Sequence, residues 1–235
     1  MRIVSVMAHQ DDELGCLGTM IRMKQRGDSL AFICLTDGSG GMVHCPEMQR
    51  DEAAAVRRKE MSALAQALDA PYICLDIQDE YLYDTPAVRD ALIGALRMAQ
   101  ADVVFTHYKE DYNLDHMTVN ALVRQCAMQA AFPMVKTEAA PLPAPPAVFQ
   151  IDPSNGFGFE PTHYVDISDA IEEKRRLSRF HVSQDEAFHA AFGHGIDDWI
   201  LEMSSFRGGQ TGVSHAEAFR PMFTRGLVKP YAILP

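Results

Sequence analysis

The chain opens on an uninterrupted apolar run. Residues 2–8 show no alternation of polar and apolar positions, the pattern of a strand buried on both faces. The polar loop His9-Gln10-Asp11-Asp12 follows, and the pattern then predicts a helix from Glu13 to about Gln25, stopped by Gly27. A second apolar run over 29–36 ends in Thr36-Asp37-Gly38-Ser39-Gly40-Gly41. Helical spacing over about 50–68 places Met61, Leu64, Ala65 and Leu68 on one face. Residues 71–77 predict a third strand. Thr85-Pro86 predicts the start of a helix, with threonine as N-cap, proline in the first turn and a stripe of Val88, Ala91, Leu92, Ala95 and Ala99. A fourth strand is expected over 102–106. The helix expected after it, over about 115–131, turns Val119, Leu122, Val123 and Cys126 inward.

Strand and helix thus alternate four times in succession. That order implies parallel βαβ units with right-handed crossovers. The five prolines within 133–146 predict a loop. Beyond them, 147–151 and 162–167 read as strands, 168–180 as a helix, and the last fifty residues as mixed structure with a helix near 196–204. The expected fold is α/β: a single Rossmann-like domain over 1–235, a three-layer sandwich around a mostly parallel sheet.

Composition supports a soluble enzyme-sized domain. Hydrophobic residues make up 47% of the 235, enough for a core without disulfides or structural metals. The net charge of -11 argues against nucleic acid as a partner, because phosphate is repelled by an acidic surface. No apolar stretch approaches the length of a membrane span, and the N-terminus does not read as a signal peptide, so a cytoplasmic protein is expected. The five cysteines form no CxxC and read as reduced. The sequence is compatible with a homo-oligomer.

In open parallel sheets, ligands bind beyond the carboxyl ends of the strands. Two acidic, histidine-bearing segments fall there: Ala8-His9-Gln10-Asp11-Asp12-Glu13 after the first strand, and His107-Tyr108-Lys109-Glu110-Asp111-Tyr112-Asn113-Leu114-Asp115-His116 after the fourth. Side by side, they would gather imidazoles and carboxylates around one crevice, a donor set suited to Zn²⁺ and too poor in oxygen for a calcium cage. A plainer reading exists for each part. Asp11, Asp12 and Glu13 suit the first turn of a helix, Asp115-His116 could be another capping pair, and Asn113 could be a turn residue.

The first segment resembles the AHPDDE signature of the PIG-L/LmbE-like de-N-acetylase family, and Asn113-Leu114-Asp115-His116 resembles that family's HPDH segment. Further likenesses follow in order: Arg57-x-x-Glu60, Val165-Asp166-Ile167-Ser168 before a helix with Lys174, His181-x-Ser183-Gln184, and Ala216-Glu217-Ala218-Phe219. The resemblance implies His9, Asp12 and His116 as zinc ligands. It implies Asp11 as the general base for a zinc-activated water that attacks an amide. Asp115 would fix an imidazole's orientation. The substrate implied is an amino-sugar conjugate of the N-acetylglucosamine type, losing acetate to leave a free amine. Two positions depart from the family pattern. Gln10 replaces proline, and Asn113 replaces the histidine proposed to stabilise the oxyanion. The Asn113 amide can donate a hydrogen bond but cannot supply a proton, which leaves Asp11, with Tyr112 or His107 in reserve, to protonate the leaving amine.

Arg57 suits either a substrate contact or an i,i+3 ion pair with Glu60. Gly38-Ser39-Gly40-Gly41 lacks the rest of a P-loop and reads as a site rim. His181 suits a core or surface position, His194 a pocket edge and Trp199 the core, while His44 and Cys45 have no partner at ligand spacing. Two rival functions remain: a zinc amidase acting on a non-sugar acyl-amine or thiol conjugate, and a non-catalytic sugar- or nucleotide-binding protein.

Overall fold

The computed structural model describes residues 1–224; the end of the expected domain, 225–235, lies outside the described residues. Five parallel strands form the first part of the sheet: β1 (Arg2–Met7), β2 (Ser29–Thr36), β3 (Tyr72–Ile77), β4 (Val103–Thr106) and β5 (Ala147–Ile151). Two more, β6 (His163–Asp166) and β7 (Ala216–Met222), complete the order β3-β2-β1-β4-β5-β7-β6. β7 runs antiparallel to both of its neighbours, so the sheet is mixed. β1 pairs directly with β4, Val6 opposite Thr106. This is the point at which the strand order reverses, and it brings the two acidic segments together.

Helices cover both faces. On one, α1 (Leu17–Gln25), α2 (Arg50–Ala67), α5 (Ile171–Ser178) and α7 (Ile196–Thr211) pack over a core holding Phe32, Phe105, Phe149 and Phe219. On the other, α3 (Pro86–Met98) and α4 (Leu114–Gln129) pack over Val4, Val6, Ile33 and Val104. The Thr85 hydroxyl accepts from Val88 N–H, as its place before Pro86 implies.

Five stretches differ from expectation, β7 among them, a strand where the sequence reads only as mixed structure. The helix expected from Glu13 begins only at Leu17. Residues 12–15 form a 3₁₀ turn, and Cys16 breaks the helical path at φ −134°. The break lets Asp12 face the histidines while Glu13 is buried against His181. The helix expected over 168–180 is shorter, α5, because Asp166 and Ser168 are used in a turn. α6 (Val182–Phe192) was not anticipated; Gly193, at φ 78°, caps it. The helix near 196–204 extends to Thr211 through two glycines that argue for an earlier stop. One of them is required: a Cβ on Gly208 would lie 2.6 Å from Val213 O, where the chain folds back to enter β7.

Candidate active site

The loop after β1 carries most of the chemistry. Asp11 has φ 131°, a region that residues with side chains rarely occupy. Several contacts hold it there. Asp11 N–H donates to Glu13 Oε2 at 3.0 Å, and Glu13 Oε1 lies 2.7 Å from His181 Nε2. From α2, the buried Arg57 donates through Nη2 to Gln10 O and, at 3.0 Å, to Asp11 Oδ1. Arg57 therefore makes neither expected contact: it does not line the cavity, and Glu60 instead accepts from Ser183. Gln10, the departure from the family proline, is wholly buried. Its amide nitrogen donates to Thr36 O at 3.0 Å and to Tyr72 Oη at 3.1 Å.

Three potential ligand residues converge beside Asp11. His9 Nδ1 lies 3.2 Å from His116 Nε2 and 3.3 Å from Asp12 Oδ2, and His116 Nε2 lies 3.2 Å from Asp12 Oδ1. Tetrahedral bonds of the length zinc makes to nitrogen and oxygen space neighbouring ligands by about 3.3 Å. The donor set and its spacing fit such an ion. Among the described residues, each grouping of three or more potential metal donors includes His9 or His116.

Each imidazole is backed by a carboxylate on its far nitrogen, as metal-ligating histidines commonly are. His116 Nδ1 lies 3.1 Å from Asp111 Oδ1. His9 Nε2 lies 2.9 Å from Asp79 Oδ1 and 3.6 Å from Asp115 Oδ2. These are close charge contacts, not aligned hydrogen bonds. Asp115, expected to orient an imidazole, is thus the more distant of the two carboxylates at His9. It also accepts from Glu80 and Leu82 N–H, holding the loop after β3. Asn113 is the N-cap of α4: its Oδ1 accepts from Asp115 N–H at 2.7 Å and from His116 N–H, and it does not line the cavity.

The charges are arranged for a cation. Burial opposes protonation of His116, but Asp12 and Asp111 outweigh it and raise the pKa to about 9. Burial likewise opposes protonation of His9, which Asp115, Asp12 and Asp79 drive well above its usual value. Asp12 resists its own burial and, facing His116 and His107, is held well below the usual carboxylate range. Asp11 goes the other way. Burial raises its pKa, with Arg57 opposing. His107 stacks on His116 with ring centroids 3.9 Å apart. Burial and the neighbouring His116 charge bring its pKa down to about 4. Its Nε2 accepts from Ala8 N–H, so it is a poor proton reserve at neutral pH.

Above this cluster opens a cavity of about 640 Å³. Asp11, Asp12, His107, Tyr112 and His116 line its floor. Its walls come from the segment after β5 (Asp152, Ser154, Asn155, Phe157) and from α6, α7 and the turn between them (Phe188, Phe192, His194, Trp199). His194 and Trp199 therefore do border the pocket, and His181 is a buried partner of Glu13. Asp79 and the β5 residues were missed. The only signal for Asp79 was its acidic neighbourhood after β3, and for Asp152 its place after β5.

The family model described as PIG-L, GlcNAc-PI de-N-acetylase, matches residues 4–127. The chain belongs to the PIG-L family. The match takes in β1 to α4 and therefore every residue of the converging cluster. Over a longer span, the chain is 26% identical over 230 residues to the diacetylchitobiose deacetylase of Thermococcus kodakarensis, covering 93% of this chain and 82% of that one. The N,N'-diacetylchitobiose deacetylase of Pyrococcus horikoshii superposes with a TM-score of 0.80 at 24% identity, covering 94% and 83%. GalB of Pseudomonas putida KT2440, a 4-carboxy-2-hydroxymuconate hydratase, superposes with 0.79 at 20% identity, covering 98% and 99%. The same fold thus serves a hydratase, so architecture alone does not name the reaction.

Proposed function

We propose that this PIG-L family member is a metal-dependent N-deacetylase acting on an N-acetylglucosamine-type amino-sugar conjugate. One observation carries the reading: His9, Asp12 and His116 converge at ligand spacing beside a half-buried Asp11 that is held in a strained backbone at the floor of a cavity. A pure binding protein needs no such base. The family match and the similarity to a diacetylchitobiose deacetylase support the acetamido-sugar class.

His9, Asp12 and His116 would hold the ion, with zinc the best match to two imidazoles and one carboxylate. Bound there, zinc would supply Lewis acidity toward the acyl oxygen and lower the pKa of water to about 7. Asp11 accepts the proton of the attacking water, helped by the burial that raises its basicity, while Arg57 fixes its carboxylate. When the C–N bond breaks, acetate departs and Asp11 returns the proton to the leaving amine. Tyr112, edge-on to the His116 ring on the cavity floor, is the reserve donor. Asn113 contributes by capping α4 and so fixing His116.

The test compares wild type with Asp11→Ala for zinc content and for amine release from N-acetylglucosamine and simple N-acetyl glycosides. About one zinc per chain in both proteins, with amine released by the wild type alone, is expected. Failure of both to take up any divalent metal after reconstitution would overturn the hydrolase reading.

A further inference from the structure

Asp152 stands just after β5, on the cavity wall, and belongs to none of the metal-donor groups. Its carboxylate is held by a two-pronged pair from α7. Arg207 Nε donates to Oδ2 at 2.5 Å and Nη2 donates to Oδ1 at 2.9 Å. The remaining nitrogen, Nη1, donates to Gln210 Oε1 at 3.0 Å, and the guanidinium carbon sits 4.8 Å above the Phe206 ring. Each of the three Arg207 nitrogens is thus engaged by a protein group. Each Asp152 oxygen retains accepting capacity beyond its one Arg207 bond.

Three further observations fix this carboxylate in its place on the wall. Pro153 follows it and keeps residue 152 in the extended region, so the backbone cannot swing the side chain away. Gly156 lies so close that a Cβ there would be 2.8 Å from Arg207 Nη2, and the loop clamps the pair from outside. Asp152 and Arg207 side chains are only 11% and 5% exposed, and the cavity takes in Asp152. A buried ion pair contributes little stability over an apolar replacement, so stability does not account for one set into a cavity wall. Recognition does: a carboxylate fixed by a guanidinium is an oriented acceptor for a hydroxyl. Trp199 borders the same stretch of wall and offers an apolar face beside it.

We propose that Asp152, positioned by Arg207, is the residue that reads a hydroxyl of the amino-sugar ring and makes this site selective for sugars over plain acetamides. The proposal rests on the deacetylase reading above.

The experiment measures kcat/KM for amine release by the zinc-loaded full chain from N-acetylglucosamine and from analogues each lacking one hydroxyl. In the wild type, one analogue should lose about 10- to 100-fold, the range of a charge-assisted hydrogen bond. In the isosteric Asp152→Asn variant, zinc content should be unchanged, and the penalty for that analogue should shrink severalfold against the variant's own rate on the parent sugar. Penalties that survive unchanged in Asp152→Asn would overturn the assignment. So would a wild type that tolerates every hydroxyl deletion within about twofold, a result that needs no variant to fold. A wild type that turns over neither sugars nor their analogues overturns the deacetylase reading itself.

Discussion

The floor and the walls of the cavity are built differently. On the floor, nearly every polar side chain is committed: His9 to Asp79, His116 to Asp111, Asp11 to Arg57, Glu13 to His181. On the walls, large aromatics stand partly in water, with Phe157 79% and Phe192 66% exposed. The floor lies within the segment matched by the family model, and the walls lie after it. Chemistry needs fixed atoms, so each is held from behind. Recognition needs surface that a ligand can cover, so apolar area is left open.

The sharpest break of this comparison is His116→Ala. It removes a ligand from the floor, and elemental analysis should find bound zinc reduced to trace levels, with amine release abolished. Asp11→Asn should keep the metal but lose about 10²- to 10⁴-fold in kcat, the range for a general base, as read by amine release at saturating substrate. Arg57→Met strips the buried partner from Asp11 and should lower the unfolding free energy by about 3 kcal/mol, seen as a lower denaturant midpoint. Phe192→Ala on the wall should leave stability within about 0.5 kcal/mol of wild type while raising KM severalfold with kcat unchanged. Equal stability losses from Arg57→Met and Phe192→Ala would erase the distinction between floor and wall.

The same division governs what was legible in the sequence. β1 to α4 could be read from apolar strands and striped helices, because those elements turn most of their apolar positions toward a core. The two acidic segments could be placed together, because strand order follows from βαβ alternation. α6 escaped because Phe192 faces solvent at the cavity mouth, so its apolar positions mark no core-facing stripe. β7 escaped because it carries Pro221 and a buried charge, Glu217, which pairs with Lys174 at 2.7 Å and accepts from Gly18 and Thr19 N–H. Neither residue suggests a strand between two others. Asp79 reaches His9 only through the sheet order β3-β2-β1, and no local pattern announces that contact. Arg57 and Glu60 lie on one helix turn yet serve different partners, a division that spacing alone does not reveal.

One detail of the floor ties it to the rim of the sheet. Gln10 donates to Tyr72 on β3, and Asp79, which backs His9, follows that strand. Among the described residues β3 is an edge strand, held on one side only, and edges fray more readily than interiors. Opening of this edge would loosen both supports of the loop at once, so amide exchange in β3 and the rate at which the loaded ion leaves should rise and fall together. The lifetime of the metal centre would then be set by the kinetics of a strand that contributes no ligand to it.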